Sequence, residues 1–386
     1  MNNFIFENST KVYFGKGCTK EYLCCLLKPY GNTIMFTYGG DSIKRNGIYD
    51  EISSILKETG KNIVQFSGIM ANPTYEKVLE GAKLVKEHQV DFILGVGGGS
   101  VIDCCKAISI ASRYKGNAWQ DFWMQPGIFN FEPLSLGLIV TAVGTGSESN
   151  GRAIITNEKL KIKTGRDYPQ CNPKFALLDP TYTYNINKKQ IVSSGFNILL
   201  SIMEIYLSEP NENNVSDDIA EALMCNVIKN LRAIINNSKD YVARSNLMWD
   251  AAMAENRIIR LGKRVDFQCR QISQQLCAYT NCNHNEGLAI LQPVYYRHIL
   301  KEKQDKFARF ASEVWKIPSK RKTQLELAKA GIDALEDFIQ EIGLPTSLKQ
   351  LNINKDIDLK MIADSCNMIT SSYKKMTHEE ILEECF

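Results

Sequence analysis

The first half of the chain alternates short apolar runs with longer amphipathic stretches. The apolar runs predict strands, and the stretches between them have the spacing of helices. The predicted strands are 33–38, 62–68, 91–96, 134–143 and 175–178. Because near-continuous apolar runs are typical of strands that are buried on both faces, this alternation predicts a parallel sheet covered by helices.

A further strand is predicted close to the N-terminus, at residues 11–15, as part of a hairpin over residues 4–17. An exposed strand edge can pair with the same strand of a second copy. We therefore expect a homodimer.

The pattern changes after Leu178-Asp179-Pro180 to apolar spacing near 3.6 residues, which predicts an all-helical second half. Gly343 and Pro345 end the last clear helix, as glycine followed by proline commonly does. We expect an α/β domain over residues 1–183 and a helical domain over 184–386. The clearest predicted helices are 194–208, 216–236, 241–261, 267–279 and 324–342.

Composition excludes several classes of protein. The net charge of +3 comes from 46 basic and 43 acidic residues spread along the 386-residue chain, so no nucleic-acid surface is indicated. No apolar stretch is long enough to span a bilayer, and the N-terminal residues lack the pattern of a signal peptide, so no membrane partner is expected. The 12 cysteines include no CxxC pair, which is typical of reduced thiols in the cytosol. We expect a cytoplasmic protein.

Residues 92–103 carry the most specific chemical signal, because a buried strand runs into four glycines and then into a helix. Glycine leaves room for a ligand, and the N-terminus of the helix offers N–H groups to an anion. The run predicts a cradle for a dinucleotide pyrophosphate, with a tight strand-to-helix turn as the structural alternative. Gly39-Gly40-Asp41-Ser42 forms a second junction of this kind after the strand at 33–38.

Six stretches together resemble the iron-type (group III) metal-dependent alcohol dehydrogenases, particularly their butanol dehydrogenase branch. They keep that family's order and spacing over nearly the whole chain. The stretches are Tyr38-Gly39-Gly40-Asp41-Ser42-Ile43-Lys44, Gly97-Gly98-Gly99-Ser100-Val101-Ile102-Asp103, Thr145-Gly146-Ser147-Glu148, Leu178-Asp179-Pro180, His284-Asn285-Glu286-Gly287-Leu288-Ala289-Ile290 and the run from Gly343 to Leu348.

The resemblance implies a Rossmann-like dinucleotide-binding domain followed by an all-helical domain, arranged as in dehydroquinate synthase. It also implies a cleft holding NAD or NADP beside a divalent metal, which stabilises the alkoxide of a small alcohol or carbonyl substrate during hydride transfer. The positions that match the family's cofactor contacts are Gly39, Gly40, Asp41, Ser42, Gly97, Gly98, Gly99, Ser100, Asp103, Thr141, Thr145, Asn150 and Lys163.

The choice between NAD and NADP leans towards NAD. An acidic side chain such as Asp41 accepts hydrogen bonds from ribose hydroxyls and repels a 2′-phosphate. Gly40 is nevertheless small enough to admit a phosphate, and Lys44 and Arg45 offer charges that pair with one.

The resemblance is incomplete at the family's metal site, where most of the expected ligands are replaced. The family binds its metal through one aspartate and three histidines, and these positions match Asn197, Ser201, Arg270 and His284. A further family histidine near the substrate matches Gln274. Because an amide, a hydroxyl and a guanidinium are poor or impossible metal ligands, we expect the divalent metal to be absent. A displaced thiolate site using Cys269, Cys282 and His284 is the alternative, against ordinary buried cysteines.

Two interpretations of Arg270 follow. Its guanidinium either replaces the metal charge and binds a developing oxyanion or an anionic substrate, or it forms a salt bridge in an inactive site. In the first interpretation Asn197, Ser201 and Gln274 donate hydrogen bonds to the substrate, and His284 donates or accepts a proton. The matching functions are an NAD(P)-dependent oxidoreductase and a nucleotide-binding pseudoenzyme. A non-redox lyase that uses bound NAD is a third candidate, with no residue that specifically supports it.

Overall fold

The fold was obtained as a computed structural model that describes residues 2–210, 212–351, 353, 357–366, 374 and 376–386. Its strands are β1 (Lys11–Phe14), β2 (Thr33–Tyr38), β3 (Asn62–Phe66), β4 (Phe92–Gly97), β5 (Leu136–Val140), β6 (Arg152–Asn157), β7 (Ile162–Asp167) and β8 (Phe175–Leu178). Its helices are α1 (Cys18–Leu27), α2 (Ser42–Arg45), α3 (Ile48–Glu58), α4 (Tyr75–Glu87), α5 (Gly99–Arg113), α6 (Lys188–Tyr206), α7 (Val215–Asn236), α8 (Tyr241–Glu255), α9 (Gln268–Thr280), α10 (His284–His298), α11 (Gln304–Arg309), α12 (Gln324–Glu341), α13 (Leu359–Asp364) and α14 (His378–Glu380).

Six of these strands form one parallel sheet in the described part of the chain, in the order β1-β8-β5-β4-β2-β3. Alternate residues of each strand face opposite sides, so that Met35 and Ile93 pack into one apolar cluster and Phe36 and Leu94 into the other. Helices cover both faces. The predicted parallel α/β fold is confirmed, because all five internal runs became strands of this sheet.

The predicted N-terminal hairpin is wrong. The strand at Lys11–Phe14 exists, but it pairs in parallel with Phe175–Leu178 at the edge of the main sheet, and residues 2–10 form no strand. The antiparallel ribbon lies elsewhere, where β6 and β7 pair from Arg152 to Asp167. Since β1 is an edge strand, its outer side has no neighbouring strand within the described residues, and the homodimer remains a prediction.

The chain divides into two units, but each is made of separate segments, so the division is not the single boundary after residue 183 that the sequence predicted. The sheet unit comprises Glu7–Asn187 and also Lys239–Asn256, which contains α8. The helical unit comprises Lys188–Ser238 and Arg257–Phe386, with the described N-terminal residues up to Phe6. Helix α8 belongs with the sheet unit because Met248 and Ala252 are buried in one of that unit's two apolar clusters.

The helical unit contains α6, α7 and α9 to α14, and its described residues form no strand of a sheet, as predicted. Helix α6 is apolar over most of its surface, and nearly all its residues from Ile191 to Tyr206 are buried. It packs against α7 and α10, while α9 packs against α10. No helix in the described residues combines the length and the apolar character that crossing a bilayer requires.

Candidate functional site

The glycine loops lie at the carboxyl ends of neighbouring strands in the sheet unit. Gly39 and Gly40 follow β2, Gly97 ends β4, and Thr141 follows β5 and donates its N–H to the Gly97 carbonyl at 3.0 Å. Since β5, β4 and β2 are adjacent, these loops meet at one edge of the sheet. This edge is where open α/β sheets place their nucleotide ligands.

Close packing explains why the turn from β4 into α5 consists of glycines. A Cβ atom on Gly99 would lie 2.7 Å from Thr145 Oγ1, and one on Gly97 would lie 2.5 Å from the Val101 side chain. Gly40, in contrast, has open space around the same position. Helix α5 begins at Gly99, and the first N–H groups of any helix have no intrahelical partner, so Gly99 and Ser100 present donors to an anion. The residues fit a dinucleotide pyrophosphate.

Asp41 and Ser42 lie in the other loop, where Asp41 directly precedes the short helix α2. The carboxylate of Asp41 is 3.2 Å from Lys44 Nζ, and both side chains are exposed. Their hydrogen bond raises the pKa of Lys44. Since Lys44 partly neutralises Asp41, the loop offers both a carboxylate for ribose hydroxyls and a cation for phosphate.

Asp103 and Asn150 belong to a hydrogen-bond network behind the glycine turn. Ser147 Oγ donates to Asp103 at 3.0 Å, and Lys106 Nζ donates to Ser147 Oγ at 2.9 Å and to Asn150 at 3.3 Å. The Asn150 amide also donates to the Glu255 carbonyl at 3.1 Å. Burial raises the pKa of Asp103 and lowers that of Lys106 to about 8. These bonds connect α5 to the segment after β5, so both side chains support the turn from within the protein.

Lys163 and Thr145 occupy different surroundings. Lys163 projects from β7, and its Nζ donates to Asn72 at 2.7 Å near the protein surface. Thr145 packs against the glycine turn, where a Cβ on Gly99 would meet it. Contacts of Lys163, Thr141 and Thr145 with a cofactor remain predictions.

In the helical unit, α6, α9 and α10 carry the residues at the family's metal positions. Arg270 on α9 donates through Nη2 to Ser201 Oγ at 3.0 Å, and through Nη2 and Nε to Glu204 Oε2 at 2.6 and 2.9 Å. The side chain of Glu204 is 3% exposed and that of Arg270 is 17% exposed. Asn197 lies one helical turn before Ser201, and Gln274 lies one turn after Arg270. The structure therefore joins Arg270 and Ser201 directly.

This arrangement does not fit a divalent cation. A guanidinium has only donors, is permanently protonated and repels a dication, and here it bonds to the hydroxyl and the carboxylate that face it. The structure does not bring Cys269, Cys282 and His284 together as the three ligands of the displaced thiolate site. Among the described residues, the three side chains whose ligand atoms lie close enough together to share one metal ion are those of His298, Glu380 and Glu384.

Cys269 and Cys282 have separate environments. Cys269 is buried in a small cavity lined by Asp266 and Tyr295, where burial raises the pKa of its thiol. The sulfur of Cys282 lies 3.0 Å from that of Cys277. The hydrogen bond with Cys277 lowers the pKa of Cys282 to about 7.

His284 begins α10, where the Asn283 side chain caps the helix by accepting from Asn285 N–H at 2.9 Å. Its Nδ1 lies 3.1 Å from Ser273 Oγ, and that hydroxyl donates to the His284 carbonyl at 3.2 Å. In the tautomer whose Nδ1–H donates to Ser273 Oγ, a neutral imidazole has its lone pair on Nε2.

Sequence reasoning missed Glu204 and Lys106 as parts of these sites. Both are charged residues buried within helices, and charged side chains are rarely buried unless they are paired. That rule signals the need for a partner. It does not identify the partner, because Arg270 is 66 residues away along the chain.

Comparisons with known proteins match this chain to one family over nearly its whole length. A model of the iron-containing alcohol dehydrogenases matches residues 9–180, and a model of the C-terminal part of the Fe-containing alcohol dehydrogenase family matches 191–384. The chain is 35% identical to NADH-dependent butanol dehydrogenase A of Clostridium acetobutylicum, covering 99% of this chain and 98% of that protein. It is 31% identical to an NADPH-dependent aldehyde reductase of Escherichia coli, covering 92% and 90%.

Solved structures agree with this relationship. The crystal structure of NADH-dependent butanol dehydrogenase A from Thermotoga maritima matches with a TM-score of 0.91 and 32% identity, covering 100% of this chain and 98% of that one. The chain belongs to the iron-containing alcohol dehydrogenase family and is an oxidoreductase of the alcohol dehydrogenase type.

Proposed function

We propose that this protein transfers hydride between a nicotinamide dinucleotide and a small alcohol or carbonyl compound without a divalent metal. The cofactor is supported by the glycine loops at the carboxyl ends of β2 and β4, and by relatives whose names specify NADH or NADPH. The bound dinucleotide supplies the hydride donor or acceptor. Gly97, Gly98, Gly99 and Ser100 hold its pyrophosphate, and Asp41 favours NAD through the ribose hydroxyls.

The observation that carries the metal-free reaction is the pairing of Arg270 with Ser201 and Glu204. Three of the four family metal positions hold residues that are weak or impossible ligands for iron or zinc, and one of the three, Arg270, is itself a cation. A fixed positive group stabilises the negative charge that develops on a carbonyl oxygen during reduction. Because its partners hold it in place, the guanidinium needs little reorganisation to do so.

The remaining polar residues orient the substrate and move the proton. Asn197, Ser201 and Gln274 offer hydrogen bonds on the faces of α6 and α9 that carry the Arg270 contact. His284 is the proton donor or acceptor, with Nε2 as the reacting atom because Nδ1 is committed to Ser273.

Glu204 bears on substrate charge. Its buried carboxylate occupies Nε and Nη2 of Arg270 and offsets part of the charge, so a substrate carboxylate would compete with it for that two-donor edge, whereas a developing oxyanion needs a single N–H donor. The pair therefore favours a neutral carbonyl compound over the anionic substrate that Arg270 alone suggests. The enzyme names of the relatives give no support to an inactive nucleotide-binding protein.

The test combines elemental analysis with matched substrates. We expect no stoichiometric iron or zinc, no activation by added metal, no loss with a chelator, and oxidation of NADH by a four-carbon aldehyde faster than by the same aldehyde with a terminal carboxylate. Arg270→Lys keeps the charge but loses the planar donor geometry, and we expect it to lower kcat/KM for the neutral aldehyde by about 100-fold.

The matched control is Arg232→Lys, which alters an exposed arginine–glutamate pair in the same unit and should leave activity unchanged. One tightly bound transition metal per chain would contradict the metal-free proposal. Equal kcat/KM for Arg270→Lys and the parent would remove Arg270 from the reaction.

A further inference from the structure

Two cysteine thiols lie side by side close to the first turn of α10. Cys277 is in the last turn of α9 and Cys282 follows the end of that helix, and their sulfur atoms are 3.0 Å apart. A disulfide bond is about 2.04 Å long, so the two sulfurs need to approach by only about 1 Å to form one. Neither cysteine is part of a disulfide in this structure.

The local backbone explains this approach. Asn281 adopts a left-handed conformation with φ of 56°, and its N–H donates to the Cys277 carbonyl at 2.9 Å. This helix ending reverses the chain, and asparagine tolerates it better than most residues do. Cys282 N–H then bonds to Thr280 Oγ1 at 3.3 Å, which holds the returning residue beside Cys277.

The pair is also accessible. Cys277 and Cys282 are each partly exposed, whereas seven of the twelve cysteines are buried. The other accessible thiols are Cys24 and Cys25, which are adjacent on α1, and Cys225 on α7. Reagents in solution can therefore reach a thiol pair at one place in the helical unit.

Contacts link this pair to the candidate active site. A Cβ atom on Gly287 would lie 3.5 Å from Cys277 Sγ, 3.7 Å from Cys282 Sγ and 3.0 Å from Ser273 Oγ. Ser273 in turn bonds to His284. The sulfurs, the first turn of α10 and His284 thus form one packed group, so a change in the position of Cys282 acts directly on the turn that carries His284.

We propose that Cys277 and Cys282 form a reversible redox site that small-molecule disulfides convert to an intramolecular disulfide. In the first step one of the two thiolates attacks a small disulfide, forming a mixed disulfide and releasing one small thiolate. The second cysteine thiolate then attacks the protein sulfur of that mixed disulfide and releases the other small thiolate. Two protein thiols are oxidised, the small disulfide is reduced to two thiols, and the two protons pass to the released thiolates. This inference does not depend on the reaction that the enzyme catalyses.

The sequence offers a direct measurement, because trypsin cleaves after Arg270 and Arg297 and releases both cysteines on the single peptide 271–297. The reduced full-length protein would be incubated with oxidised glutathione, quenched by alkylation under denaturing conditions, digested and weighed. We expect this peptide to lack two hydrogens and to carry no alkyl group, with full reversal by dithiothreitol. Two separate glutathione adducts on the peptide would overturn the proposal. Alkylation of both Cys277 and Cys282 in a sample where Cys25 or Cys225 carries glutathione would overturn it as well.

Variants separate the two steps. In Cys277→Ser we expect glutathione to accumulate on Cys282, and in Cys282→Ser on Cys277, whereas Cys225→Ser should form the linked peptide as the parent does. A trivalent arsenical, which bridges two neighbouring thiols, provides a measurement on the unmodified sequence. We expect one arsenical that bridges peptide 271–297 in the parent and at least a tenfold weaker adduct in either serine variant at this pair. Retention of the arsenical by both variants at the level of the parent would contradict the proposal.

Discussion

A single oxygen of Glu204 accepts hydrogen bonds from both Nε and Nη2 of Arg270, at 2.9 and 2.6 Å. The pair joins α6 to α9 inside the helical unit, and Arg270 occupies a position where the family resemblance implies a metal ligand. A carboxylate that is 3% exposed requires a cation, and Arg270 supplies it from within the protein. Structural support and the proposed electrostatic role thus reside in the same side chain.

This pairing predicts that Arg270→Met destabilises the protein by about 3–5 kcal/mol, because it leaves the Glu204 charge buried without its partner. The double variant Arg270→Met/Glu204→Gln should recover most of that loss. Urea unfolding followed by circular dichroism measures both. Arg232→Met, which breaks the exposed pair with Glu341, is the control and should cost about 1 kcal/mol or less. A similar cost for both single variants would contradict the prediction.

A second buried ion cluster, formed by Asp217 and two lysines, predicts a large loss of stability from a conservative change. The Asp217 carboxylate accepts from Lys306 Nζ at 2.6 Å and also from Lys263, and all three side chains are almost fully buried. Asp217→Asn leaves two buried ammonium groups without a counter-charge and should cost at least about 3 kcal/mol in urea unfolding. Asp218→Asn is the adjacent control, since Asp218 is largely exposed. Equal midpoints for the two variants would show that the lysines find other partners.

Glu148 predicts a pH dependence of stability in the sheet unit. Burial raises the pKa of this carboxyl to about 7, from a usual value of 4.5. The folded protein therefore keeps a proton that the unfolded chain releases, and the free energy of unfolding falls as pH rises from about 4.5 to 7. The free energy of unfolding falls by about 3 kcal/mol over this range. The pKa of Lys106 is lowered to about 8, so its titration raises the free energy of unfolding with pH, but only above about pH 8.

Glu148→Gln removes this titration while keeping the shape of the protonated carboxyl. We expect the variant and the parent to have similar Tm values near pH 5, and the variant to be several degrees more stable at pH 8. Glu87→Gln on the surface is the control, and its Tm should follow the parent at both values. A constant difference between Glu148→Gln and the parent from pH 5 to 8 would show that Glu148 is ionised throughout.

The glycine turn predicts a specific rescue. A Cβ on Gly99 would lie 2.7 Å from Thr145 Oγ1 and 3.4 Å from Thr145 Cβ. Gly99→Ala should therefore lower stability by about 1–3 kcal/mol through overpacking, and Gly99→Ala/Thr145→Ala should regain most of it, because the oxygen is the closer atom. Thermal unfolding of the two single variants and the double variant measures the coupling. Additive losses would place the clash elsewhere.

The strands of the main sheet were predictable from local pattern, since a strand buried on both faces needs a continuous apolar run such as Phe92–Gly97. The glycine turn after β4 was predictable for a similar reason, because a turn that passes this close to neighbouring side chains excludes a Cβ. The residue types at 197, 201 and 270 alone indicated a changed metal site, because no fold makes a guanidinium a metal ligand.

Partners that lie far apart along the chain had to come from the tertiary structure. The strand at Lys11–Phe14 could pair with a hairpin neighbour or with Phe175–Leu178, and its own residues fit either arrangement. Likewise, the pattern around Arg270 left both a substrate anion and a salt bridge open, and only the packing of α6 against its neighbours placed Glu204 Oε2 2.6 Å from Arg270 Nη2. Periodicity indicates which face of a helix or strand is buried. Which other element packs against that face depends on the packing of whole elements and on the entropy of closing the loops between them.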